Sequence, residues 1–217
     1  MSSSSTLRLT LFLGGLGIVL ATLVPLMVEI IGVFPVPYDL SWLNQFGNVR
    51  FAQLVEGVLL VAFIILAVGT GQGSGIAGAS TIGKVSLIVF AIAGFALSVI
   101  APATLAPLGT SPTVLALLGL GFWSSGALSL SALIVASIVV FRAGVIRGVV
   151  RWWLLILAVE TATTTAVGFV PSVKAAEIGY WGQALGALLQ LSLGVVYLNY
   201  GTTASLEQRV ELVRPQL

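Results

Sequence analysis

The sequence predicts an all-α fold: a polytopic membrane bundle of six transmembrane helices with both termini cytoplasmic. Three observations predict it. Six long apolar runs fill the chain, at about 10–33, 51–69, 85–105, 114–141, 150–170 and 178–200. Hydrophobic residues make up 58% of the 217, and charged residues only 7%. An ordinary soluble domain carries about 25% charged residues, so lipid rather than water must cover most of this surface. Finally, the few basic residues fall unevenly between the gaps, which sets an orientation. The length suits one six-span domain, 1–217.

A helix crossing a hydrocarbon core about 30 Å thick needs about 20 apolar residues. Backbone groups cannot go unpaired in lipid, so apolar runs of this length without alternation read as helices rather than barrel strands. The first run follows Met1–Arg8. A signal peptide is the alternative, but the run exceeds the usual core of about 7–15 residues and no A-x-A-like site follows. It reads as a retained span. Gly14, Gly17 and Ala21 predict a helix-packing contact on it.

The segment 34–50, with Pro35, Pro37, Tyr38 and Trp42, reads either as a structured cap or as a plain interfacial connector. Arg50 lies about one and a half turns before Glu56 on the second span. With Glu29, Gln53 and Asn48 it forms a candidate outer polar cluster. Such a cluster could line a substrate vestibule or be an interfacial salt bridge reached by snorkelling.

The loop Gly69–Lys84 contains Gly73, Gly75 and Gly78 in G-x-G-x-x-G spacing, and Gly78, Gly83 and Lys84 in most of a phosphate-loop pattern, with Val85 where Ser or Thr is required. Both motifs act only after a strand in an α/β unit. Between two membrane spans the loop reads as a flexible connector. Ser124, Ser125, Ser129 and Ser131 make the fourth span partly polar, either lining a cavity or bonding back to their own helix.

Glu160 falls near the middle of the fifth span. A charged carboxylate at that depth costs roughly 2.5–3.5 kcal/mol on insertion scales, so it should face the bundle interior. It reads either as a proton- or cation-handling group or as a hydrogen-bonded tie between helices. In the sixth span Gly182, Gly186, Gln190 and Gly194 recur every four residues and share one face. Small residues let another helix approach, and Gln190 can then bond across. The tail 201–217 reads as a solvated helix end, a disordered tail or a docking segment.

With the N-terminus inside, six crossings place Arg8, Lys84, Arg142, Arg147, Arg151, Arg209 and Arg214 on the cytoplasmic side, and only Arg50 and Lys174 outside. That matches the positive-inside rule. Tyr38, Trp42, Tyr180 and Trp181 then fall at the outer edge, and Trp152, Trp153, Tyr197 and Tyr200 at the inner edge, the depth amphipathic rings prefer. The net charge of +2 belongs to those flanks and is no nucleic-acid footprint.

The inventory also excludes. Cysteine and histidine are both absent. That removes disulfides, thiolate catalysis, thiolate or imidazole metal sites and histidine general bases. The lone aspartate, Asp39, cannot form the paired or clustered Asp of intramembrane aspartyl proteases or of Mg²⁺-dependent prenyl and phospholipid-alcohol transferases. No catalytic constellation, metal set or cofactor motif is recognisable, so no enzyme is expected.

Val139-Val140-Phe141-Arg142-Ala143-Gly144-Val145-Ile146, followed by Arg151-Trp152-Trp153-Leu154, resembles the aromatic-Arg-Ser-Gly-Leu-Ile-Pro-Arg-Trp-Leu turn of an uncharacterised six-span family of bacteria and archaea. Arg50 through Glu56 is similar to that family's second-span start, and Gln190–Gly194 to its last span, where Glu often stands at the position of Gln190. Arg147–Val150 interrupts the turn and its proline is missing. The resemblance covers about half the chain and implies six helices without an activity.

The functional expectation is a non-enzymatic protein of the cytoplasmic membrane that binds or transports a small apolar or weakly polar molecule. Glu160, Gln190, Glu29, Glu56 and Arg50 are its candidate ligand- or proton-handling residues. The alternatives are an accessory subunit held by partner membrane subunits or copies of itself, and the substrate-capturing subunit of an energy-coupling-factor transporter, which has six helices and about this length.

Overall fold

The computed structural model describes residues 3–33, 49–70, 75–105, 111–146, 150–168, 182 and 184–202. Among them the chain is all-helical. The helices are α1 (Ser3–Val33), α2 (Val49–Val68), α3 (Thr81–Leu105), α4 (Pro112–Ala143), α5 (Val150–Gly168) and α6 (Ala184–Thr202). Each covers most of one apolar run, α1 and α3 beginning several residues before theirs. Among the described residues three stretches are long and apolar enough to cross a membrane: Thr6–Val24 in α1, all of α4, and α6. Gln53–Val68 in α2 and Thr81–Leu97 in α3 are apolar but shorter.

Local chemistry sets the helix ends. Ser111 caps α4: its Oγ accepts from Val114 N at 3.4 Å, and Pro112, whose missing N–H costs nothing there, opens the first turn. Gly144 ends α4 at φ 63°, the left-handed conformation that glycine adopts without strain. Ser80 receives Gly83 N on its Oγ at 3.2 Å and so starts α3.

Contacts along the helices fix an antiparallel ring. Thr10, Gly14 and Gly17 of α1 meet Thr70, Leu66 and Ala62 in reverse order. Gly57 and Phe63 of α2 meet Phe95 and Phe90 of α3, the two Phe rings standing edge-on at 4.9 Å. Gly83, Phe90 and Ile100 of α3 meet Val139, Ser129 and Gly121 of α4. At the next turn Phe141 of α4 packs on Trp152 of α5, 4.6 Å between centroids, with the Arg151 guanidinium 4.6 Å from the Phe141 centroid. Glu160 of α5 meets Gly186 of α6. The ring closes where α6 returns to α1: Gly15 faces the backbone of Gly194 and Leu198, and Gly201 faces that of Arg8 and Phe12. The start of α1 and the end of α6 therefore share one end of the bundle.

One apolar core runs through this ring, with Leu11, Ile18, Phe63, Leu66, Leu87, Leu133, Val140, Leu154, Leu193 and Tyr197 fully or almost fully buried. So few polar groups leave helix association to close packing of small residues and to dispersion. Threonines add a polar tie at the end of α2. Thr70 N donates to Thr10 Oγ1 at 2.9 Å, and both hydroxyls approach Thr6 O, at 2.9 and 3.0 Å.

One expectation is corrected. The glycine-rich loop is no flexible connector at residues 75–80. Ile76 and Ala77 are fully buried, and Ile76 N donates to Leu66 O at 2.8 Å, satisfying a carbonyl at the end of α2. Its glycines are packing requirements. A methyl on Gly75 would overlap the Ala67 carbonyl, and one on Gly78, at φ 59°, would lie 2.8 Å from Val145 Cγ2. Tyr197 turns its ring into the core rather than outward from the bundle. It is fully buried and its hydroxyl has no hydrogen-bond partner.

The serines of α4 divide. Ser124 donates to Gly121 O of its own helix at 3.1 Å, whereas Ser129 reaches Phe90 O on α3 at 3.5 Å, a long contact.

Candidate functional site

Two of the residues singled out from sequence meet between α5 and α6. Glu160 and Gln190, each half-buried, line a cleft of about 310 Å³ together with Leu157, Thr161, Thr165, Gly186 and Ala187. Helical spacing explains the set. Leu157, Thr161 and Thr165 recur every four residues on α5, and Gly186 and Gln190 do so on α6. Leu157, which lines the cleft, belongs to the buried core, whereas Thr165 at its edge is exposed.

Gly186 makes room for the carboxylate. A Cβ there would stand 3.0 and 3.1 Å from the two Glu160 oxygens and 3.3 Å from Cδ. Any side chain at 186 would push the carboxylate aside. The neighbouring hydroxyls turn inward on their own helix: Thr161 Oγ1 donates to Leu157 O at 2.8 Å and Thr165 Oγ1 to Thr161 O at 2.7 Å. Their protons are committed, so they offer lone pairs to the cleft. Among the described residues no group of three His, Cys, Asp or Glu could hold a metal ion.

The glycines of the predicted packing stripe do different jobs. Gly194 meets Val19, Ile18 and the Gly15 carbonyl of α1, while Gly186 meets Glu160. Gly182 is helical, just before α6. On α1, Gly14 and Gly17 face Leu66 and Ala62 of α2. Sequence reasoning missed Gly15 and Gly201, the contacts that close the ring. The signal was present in Arg8, Phe12, Gly15 and Val19, which share a second face of α1, and in Gly194, Leu198 and Gly201 on α6.

The outer cluster is placed only in part. Glu56 is half-buried on α2, one residue before the contact of Gly57 with Phe95. Glu29 and Arg50 lie on α1 and α2, but their side chains fall outside the described residues, as does all of Asn48. Extending the register of Gly14 with Leu66 and Gly17 with Ala62 puts position 29 level with position 50 along the two backbones.

No family model, curated protein or solved structure matches this chain.

Proposed function

We propose that this chain is a multi-pass protein of the cytoplasmic membrane that binds or moves a small molecule and catalyses no reaction. In this reading all six helices cross the bilayer and both termini are cytoplasmic. Three stretches long and apolar enough to span support it, as does the antiparallel ring, which returns the end of α6 to the start of α1. The seven inner basic residues of the sequence supply the orientation.

The observation that carries the functional reading is the α5–α6 cleft. It places the Glu160 carboxylate over Gly186 beside the Gln190 amide, at about 310 Å³, the lower end of the range for small-molecule sites. Native mass spectrometry of gently extracted protein tests it. A retained small molecule lost on Gly186→Leu, which would fill the cleft, is expected. Wild-type protein carrying nothing at any extraction strength overturns the reading. Topology is tested separately. The chain has no cysteine, so single cysteines near each terminus should react with an impermeant maleimide only after cells are permeabilised. Labelling of the two ends from opposite faces removes the six-span reading.

A second reading, a subunit held by partner helices or by a copy of itself, draws on the first half of α4. Leu117, Leu120, Trp123 and Leu128 are exposed there, and Gly119 and Gly126 have open space beside them. By contrast, Gly14, Gly15 and Gly17 of α1 and Gly186, Gly194 and Gly201 of α6 are consumed inside the ring. Co-purification of a stoichiometric second protein, abolished by Gly126→Leu, would favour it.

A further inference from the structure

The turn from α4 to α5 gathers cations beside aromatic rings. Arg151 stands in the first turn of α5, which holds no carboxylate to offset the positive end of the helix. Its guanidinium lies 4.6 Å from the Phe141 centroid and 5.8 Å from that of Trp152. The ring faces attract the cation and fix its plane but supply no countercharge. Nε is buried without a hydrogen-bond partner, while neither Nη group is buried in that way. The guanidinium is always charged, and its outer N–H pair matches two oxygens of one phosphate. Arg142, exposed in the last turn of α4, follows Phe141 and adds a second cation. Among the described side chains the carboxylates are Glu56 and Glu160. Glu56 lies near the start of α2, at the other end of the bundle. Glu160 lies about 14 Å along α5 from Arg151 and about half a turn around it.

Toward the middle of the bundle the same surface turns apolar. Ile138 sits one turn from Phe141 along α4, and Ile156 one turn from Trp152 along α5, both exposed. A free phosphate or an acidic peptide would satisfy the cations and leave these side chains bare. One amphiphile with an anionic phosphate above alkyl chains covers both. We infer that the α4–α5 turn seats an anionic phospholipid, its phosphate on Arg151 and Arg142 and an acyl chain along Ile138 and Ile156. The inference rests on the membrane reading above and not on the α5–α6 cleft. Two cations on one turn favour a headgroup of net negative charge, since a zwitterionic one brings its own ammonium toward them. Any basic residue at a membrane surface attracts anionic lipid. What distinguishes this place is a guanidinium already held in one plane by stacking, which loses little freedom on binding.

The test is native mass spectrometry of the full chain released from nanodiscs made of equal phosphatidylglycerol and phosphatidylethanolamine with identical acyl chains. The readout is the ratio of the two lipids that stay bound. Wild type is expected to keep phosphatidylglycerol in preference. Arg151→Gln should lower the ratio about fivefold, the factor that one basic residue near an anionic membrane supplies. Arg151→Lys, which keeps the charge without the planar fork or the stacking, should lower it less. Arg8→Gln removes the same charge from α1, across the ring, and should leave the ratio unchanged. Preincubation with inorganic phosphate should displace no lipid. Equal retention of the two lipids by wild type overturns the seat, as does a fall in Arg8→Gln as large as that in Arg151→Gln, which would mean general surface charge. Should Arg151→Gln not fold, a wild-type ratio in Arg151→Lys overturns it as well. Displacement by inorganic phosphate marks a free-anion site, and a polypeptide retained in place of lipid marks a protein interface; either overturns the lipid as occupant. Protein that does not enter nanodiscs at all removes the membrane reading, and this seat with it.

Discussion

Replacing Gly15 with alanine tests the closure of the ring, on which every placement in the cleft depends. A methyl at this position would stand 2.6 Å from Leu198 N, 2.7 Å from Gly194 O and 3.2 Å from Leu198 Cα. All three atoms are backbone, so no rotamer change relieves them. Restoring an ordinary separation of about 3.5 Å moves α1 and α6 apart by about 0.8 Å, and a gap of that size forfeits a quarter to a half of each van der Waals well along the seam. Overpacking of this kind costs about 1–3 kcal/mol. In a chain of this length each kcal/mol shifts Tm by about 2–4 °C, so the apparent Tm should fall by about 2–12 °C. The assay is thermal unfolding of purified protein in detergent or nanodiscs, with Gly126→Ala alongside. Gly126 has nothing within 4 Å of an added Cβ, and alanine is the better helix former, so this control should match or slightly exceed wild type. A Gly15→Ala protein as stable as the control would refute the α1–α6 contact.

Other perturbations follow from the same packing. Ile76→Ala removes a fully buried side chain from the 75–80 segment. It should cost about 2–5 kcal/mol in the same assay, whereas a neutral result would restore the flexible-connector reading. Tyr197→Phe deletes a buried hydroxyl without a partner. An unsatisfied group of that kind costs about 1–3 kcal/mol, so the variant should hold or raise Tm, and a clear fall would mean the hydroxyl is bonded. Thr10→Val leaves Thr70 N without its acceptor and should lower stability by about 1–3 kcal/mol. Thr163→Val, which removes only a back-bond at an exposed position of α5, should be nearly silent beside it.

What the sequence determined by itself was the secondary structure and the chemical inventory. Long apolar runs without alternation suit a helix, which satisfies its own backbone hydrogen bonds where water is absent. The absence of Cys and His excludes whole reaction classes whatever the fold. Glu160 and Gln190 were legible as candidates because polar groups in apolar runs are expensive and must face something.

Only the tertiary structure decided what they face. Adjacent glycines on one helix point about 100° apart, so Gly14 and Gly15 serve different neighbours, and sequence spacing alone names neither. The pairing of Gly186 with Glu160 rather than with a helix backbone depends on the antiparallel register of α5 and α6. The burial of Ile76 and Ala77 depends on how the 75–80 turn folds back over the end of α2. Glycine-rich sequence reads equally well as mobile chain or as close packing. The choice is made by long-range contacts, which local composition does not encode.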